Sequence, residues 1–330
     1  MVKMQKKGVS LVILIVLILV VSGCNSRRTD KGSSSNREID YRTGTDGLEL
    51  VLPVDTPTEI YEGDRDVRFL VEVRNKGAFP QSDEIGNFGG KLWIGGYDEN
   101  ILTIYPRIGT SISQGVELVG NELEGKSPYN EEGGYSAIEF RIDARTLPEG
   151  VPSYNPKLII TASYFYQTIA NPVVCIDPEP RSTRIREKIC DIDDSISVGS
   201  QGGPITITKV EQDVTSNDFL FKIYISNDGE GLVIKEGDIG NNPNEGYDRR
   251  ELDNVVLEWV SAGNVRMTQC RPSIGSDVHL IEDKGYIFCR LDKTVAAEKT
   301  YETPLNIRLS YGYTSSVEKE IKVFEEVLFS

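Results

Sequence analysis

The chain has 330 residues but only one histidine, three methionines and two tryptophans. A Ser-His-Asp triad would therefore have to use His279, and no Gly-x-Ser-x-Gly elbow accompanies it. There is no Cys-x-x-Cys pair and no second histidine, so a zinc site of ordinary spacing is excluded. A phosphate loop and a dinucleotide fingerprint are absent too. Acidic side chains are abundant at 51, so coincidental carboxylate pairs are unavoidable and none stands out as a glycosidase pair. Basic residues number 36, which leaves a net charge of −15 and argues against nucleic acid as a partner. No catalytic residue and no cofactor is expected from this inventory.

Long apolar runs are scarce as well. The longest, Val9–Val21, is interrupted only by Ser10 and follows Lys3, Lys6 and Lys7. It is shorter than the roughly 20 residues a spanning helix needs. Basic start, short apolar run and the small residues Ser22 and Gly23 are the layout of an export signal over residues 1–23. Val21-Ser22-Gly23-Cys24 resembles the lipobox of prokaryotic lipoproteins. That resemblance implies lipidation of Cys24, a membrane anchor and an extracytoplasmic location. The competing reading, a retained anchor helix, gives the rest of the chain the same location. Residues 24–45 open with a polar, Ser-rich stretch that cannot build a core and is expected to act as a tether.

With Cys24 set aside, four cysteines remain. The two local pairings are Cys175–Cys190 and Cys270–Cys289, and an extracytoplasmic setting permits both bridges.

Internal repetition organises the remainder. Val67, Phe69, Val71 and Val73 alternate with polar residues and end at Asn75-Lys76-Gly77. Phe219, Phe221, Ile223 and Ile225 do the same and end at Asn227-Asp228-Gly229, an offset of 152. Tyr154–Thr168 aligns with Tyr301–Ser315 at an offset of 147, each copy carrying Tyr-x-Tyr. Phe140-Arg141-Ile142-Asp143 matches Cys289-Arg290-Leu291-Asp292 at an offset of 149. Period-two alternation marks half-buried strands, and Asn-x-Gly is expected to supply positive φ at the turn. Each copy holds seven or eight such runs, and the last, near 317–325, continues the sheet pattern rather than a helix. The Tyr-x-Tyr rings are expected to fill a core with their hydroxyls at its rim. Asn306, Arg308, Ser310 and Gly312 are expected to face solvent.

The strand ends and the Tyr-x-Tyr strands resemble adhesion-related Ig-like domains of bacterial and archaeal surface proteins. The resemblance implies an all-β chain of two tandem Ig-like antiparallel β-sandwiches, residues 46–176 and 203–330, joined by a charged segment 177–202. It implies an exported setting and carries no catalytic residues.

Binding would fall to loops on this scaffold. Phe88 and Trp93, among the glycines of the 79–96 insert, are weak contact candidates, with Trp93 also suited to the core. Asp191, Asp193 and Asp194 are weak calcium candidates without EF-hand spacing. The expectation is a membrane-anchored binding or assembly protein of the cell envelope, with a protein or envelope polymer as partner. A solute-binding lipoprotein and an envelope hydrolase are the alternatives.

Overall fold

The computed structural model describes residues 41–107, 114–180, 182, 188–294 and 299–326. The first half holds β1 (Leu48–Val51), β2 (Glu59–Tyr61), β3 (Val67–Asn75), β4 (Gly90–Gly95) and β5 (Leu102–Pro106). It continues with β6 (Val116–Glu117), β7 (Tyr135–Ala144), β8 (Ser153–Tyr154), β9 (Lys157–Ala170) and β10 (Val173–Ile176). The second half holds β11 (Ser195–Ser197), β12 (Ile205–Val214), β13 (Asp218–Asn227), β14 (Val233–Ile234), β15 (Asn254–Ala262) and β16 (Val265–Arg266). Then come β17 (Gln269–Arg271), β18 (Asp277–His279), β19 (Lys284–Asp292), β20 (Tyr301–Glu320) and β21 (Lys322–Phe324). No α-helix occurs among the described residues. The fold is all-β, as the alternating patterns require.

Each half has its own outer sheet, ordered β1-β3-β7-β5 in the first and β11-β12-β13-β19-β17 in the second. The inner sheet is common to both. Its order is β16-β15-β20-β9-β4-β6, so the halves join where β9 meets β20. One continuous apolar cluster, from Leu48 to Val323, fills the sandwich. The tandem sandwiches expected from the repeat are thus fused along one sheet.

The junction is a long antiparallel ladder in a single register. It runs from Ser153 opposite Phe324, through Tyr166 opposite Tyr311, to Ile176 opposite Tyr301. Pro156 and Pro172 lack an N–H to give, but their carbonyls still accept from Ile321 (3.1 Å) and Leu305 (2.8 Å). Phe165 lies opposite Gly312, and 312 minus 165 is 147, the offset of the repeat itself. A pseudo-two-fold axis therefore passes through that pair, and the duplicated strands pair with each other.

Around the axis sit Tyr164, Tyr166, Tyr311 and Tyr313, all buried. Adjacent rings lie 6.0–6.3 Å apart, tilted or edge-on, an arrangement aromatic quadrupoles favour. The hydroxyls cap backbone groups of the outer strands and loops. Tyr164 accepts the Leu48 N–H (2.9 Å), and Tyr311 accepts the Ile205 N–H (3.3 Å). Tyr166 accepts from Phe79 (3.2 Å) and donates to the Gly202 carbonyl (2.8 Å). Tyr313 accepts from Gly231 (2.7 Å) and donates to Asn227 Oδ1 (3.1 Å).

These bonds correct the reading of Asn-x-Gly. Neither Gly77 nor Gly229 has positive φ. A Cβ on Gly77 would lie 1.7 Å from Tyr166 Oη, and one on Gly229 would lie 2.4 Å from Tyr313 Oη. Glycine is needed because a buried phenol approaches the backbone there. The asparagines also work alike: Asn75 Nδ2 donates to the Phe79 carbonyl (2.7 Å), and Asn227 Nδ2 donates to that of Gly231 (3.2 Å).

A second correction concerns the other face of β20. Ser310 and Gly312 are buried, not solvent-facing. Ser310 donates to Glu258 Oε1 (2.7 Å), and the backbone of Ile234 and Lys235 lies over Gly312. The long inserts supply part of this cover and cross between halves. Tyr247 Oη is 3.1 Å from Ser163 Oγ, and Glu84 is 3.8 Å from Arg308.

Candidate functional site

Cys24 lies outside the described residues. Cys175 is bridged to Cys190 and Cys270 to Cys289, with Cα separations of 5.9 and 4.1 Å. The first bridge opens the charged segment, where the nearly buried Asp177 pairs with Lys188 at 2.8 Å. The segment, expected only to join the two halves, also contributes β11. The second bridge links residues directly opposite on β17 and β19. Phe140 holds the matching place in the first half and stacks on Phe69 at 5.4 Å.

The loop aromatics singled out from the sequence are packing residues. Phe88 and Trp93 are 9% and 3% exposed, so neither presents a ring to a partner. Trp93 lies against Gly115, where a Cβ would approach its indole to 2.9 Å. Asp191, Asp193 and Asp194 are exposed, and Asp193 is engaged in accepting the Ser195 N–H at 3.1 Å. Among the described residues no three histidine, cysteine, aspartate or glutamate side chains converge to hold a metal ion.

An exposed aromatic face occupies the outer side of the second half. Lys209, Tyr224 and Tyr286 lie side by side across β12, β13 and β19. The next row is Glu211, Lys222, Phe288 and Arg271. Tyr286 and Phe288 are 54% and 46% exposed, with ring centroids 5.7 Å apart. Lys222 Nζ sits 4.6, 4.8 and 5.5 Å from the ring centres of Tyr224, Tyr286 and Phe288, a cation–π geometry. Glu211 accepts from Lys209 (2.7 Å) and from Tyr224 Oη (2.8 Å), which hold its carboxyl below the ordinary carboxylate range.

The corresponding face of the first half is ionic instead. Asp66 pairs with Arg68 (2.8 Å) and Arg141 (2.9 Å), and Arg107 pairs with Glu139 (3.1 Å). At the repeat offset of 149, Phe288 stands where the first half has Glu139. The signal was present in the sequence as aromatic residues at the outward positions of β13 and β19. Attention to the inward positions, which define the strand, passes over it.

No known protein family matches the chain, and no curated protein does. Among solved structures it is similar to one titled BspA_C_WT, with 8% identity and a TM-score of 0.17. The match covers 84% of this chain and 99% of that one. At that score the likeness carries no argument about function.

Proposed function

We propose that the protein is a lipid-anchored, extracytoplasmic binding or assembly protein of the cell envelope and does no catalysis. The observation that carries the binding reading is the exposed Tyr286 and Phe288 pair, beside the half-buried Tyr224, on a sheet pinned by the Cys270–Cys289 bridge. Exposed aromatic clusters on rigid sheets are unusual on a surface with no partner. Two disulfides suit an oxidising compartment. The membrane is held through Cys24, and the partner is an envelope polymer or protein.

Two measurements test this. Purified protein should sediment with isolated envelope fragments, and the exposed double variant Tyr286→Ala/Phe288→Ala should lose about tenfold or more of that retention. Equal retention of the variant would remove the face from the function. In cells, Cys24→Ser should abolish incorporation of labelled fatty acid and leave the precursor uncleaved. Normal cleavage and release of that variant would end the lipoprotein reading.

A further inference from the structure

The two halves differ at the free edge of their first long strand. In the second half this edge is closed. β11 pairs with Lys209–Glu211 of β12, and Val198 donates to the Thr208 carbonyl at 3.0 Å. The amide of Gln201, itself 6% exposed, serves Ile207: Oε1 accepts the Ile207 N–H (2.8 Å), and Nε2 donates to the Ile207 carbonyl (3.1 Å). A primary amide offers one donor and one acceptor side by side, as a peptide group does.

Leu50 is the first-half counterpart of Ile207. Leu48 and Ile205, two residues earlier, give their N–H groups to Tyr164 and Tyr311 in the same way. Among the described residues β1 ends its sheet and pairs only with β3. Lys76 donates to the Gly47 carbonyl (2.9 Å), so alternation points the N–H and C=O of Leu50 away from β3. Among the described residues no strand and no side chain takes the place that Gln201 holds in the other half.

Beside this bare edge lies a groove of about 560 Å³ between β1 and Tyr313–Val317, with Gly229–Leu232 at one end. Leu232, 53% exposed, and the half-buried Val317 give it apolar footing. Asp46, Glu49 and Glu230 are exposed around it, while Lys76 is paired with Glu132 at 3.7 Å. The rim is therefore acidic.

We propose that this groove takes an extended, lysine- or arginine-bearing segment of a partner protein, which adds to β1 as a further strand. Its backbone would bond to Leu50 as Gln201 bonds to Ile207, its apolar side chains would rest on Leu232 and Val317, and its cations would meet the acidic rim. A second copy of this chain, at net charge −15, meets that rim with like charge. The biological use of the groove rests on the binding-protein reading. Binding of a defined peptide by the purified chain fails independently of the envelope-sedimentation and lipidation experiments.

The probe is a capped heptapeptide alternating valine and lysine, added to the purified full chain in detergent. The peptide should bind, and hydrogen exchange in the fragment spanning Leu48–Val51 should slow by about tenfold or more. Glu49→Lys/Glu230→Lys, at two exposed positions, should weaken binding by at least about tenfold. The same peptide N-methylated at alternate backbone nitrogens should not bind. Equal binding of the methylated peptide, no binding at millimolar concentration, or indifference to the charge reversal overturns the proposal. So does exchange at Leu50 in the free chain as slow as at Ile207, which would mean the chain's own N-terminal segment or a second copy already fills the groove.

Discussion

Gly77→Ala should lower the unfolding free energy by about 3 kcal/mol or more, read by chemical denaturation. The new methyl group would stand 1.7 Å from Tyr166 Oη, 2.6 Å from the Asp46 carbonyl and 2.7 Å from the Gly202 carbonyl. Two of these neighbours are backbone, and the third is a ring locked between Phe79 and Tyr311, so none can retreat cheaply. Gly229→Ala should behave alike, because Tyr313 Oη and Pro204 Cβ lie 2.4 and 2.7 Å from its would-be Cβ. Gly86→Ala, which meets nothing within 4 Å, serves as the control and should stay within about 0.5 kcal/mol. Tyr166→Phe alone should cost about 1–3 kcal/mol, since it leaves the buried Phe79 N–H without its acceptor. In combination with Gly77→Ala its cost should be less than additive, because the nearest obstacle is gone. If Gly77→Ala matched wild type in stability, the close approach of phenol and backbone would not exist in solution.

Alkaline pH should unfold the protein steeply. Burial pushes the phenols of Tyr164, Tyr166, Tyr311 and Tyr313 upward from their ordinary value of 10.0, Tyr313 to about 12 and the other three further. Released into the unfolded chain, the same phenols ionise near 10. Above that pH the unfolded state binds fewer protons than the folded one, so stability falls as pH rises. The contribution is complete below about pH 10 and is lost on the way to pH 12 and beyond. Four such groups give a fall of roughly 5 kcal/mol per pH unit in that window. Absorbance at 295 nm follows the ionisation of the fifteen tyrosines. The buried four should ionise only with loss of near-ultraviolet dichroism. One smooth titration of all fifteen with the fold intact would contradict the buried cluster.

The strands were largely readable because period-two alternation reports which face is inside. Phe69, Val71 and Val73, and Phe219, Phe221 and Ile223, are buried where the pattern puts them. The Tyr-x-Tyr repeat also marked the core correctly. Alternation does not say which strand lies alongside. Each repeat was complete in itself as a pattern, so the pairing of β9 with β20 had no local signature. Ser310 and Gly312 looked exterior for a related reason. Their polarity is matched by Glu258 and by the backbone of Ile234 and Lys235, not by water. The aromatic face escapes the pattern for the same reason: Tyr286 and Phe288 occupy outward positions, where alternation puts polar residues. Trp93, equally suited to a loop contact or to the core, is buried, and the glycine that makes room for its indole is Gly115, outside the insert.

The register shared by β8, β9 and β10 on one side and β20 and β21 on the other has a consequence for any attempt to divide the molecule. Two identical subunits meeting through an isologous edge would show the same geometry, each strand reading the other backwards about a dyad. Here the two halves of such an arrangement lie in one polypeptide, at fixed stoichiometry and without a concentration-dependent assembly step. A cut between the halves would release no finished domain. Each fragment would carry an open strand edge spanning Ser153–Ile176 or Tyr301–Phe324, and two exposed tyrosines, ready to recruit another copy of itself.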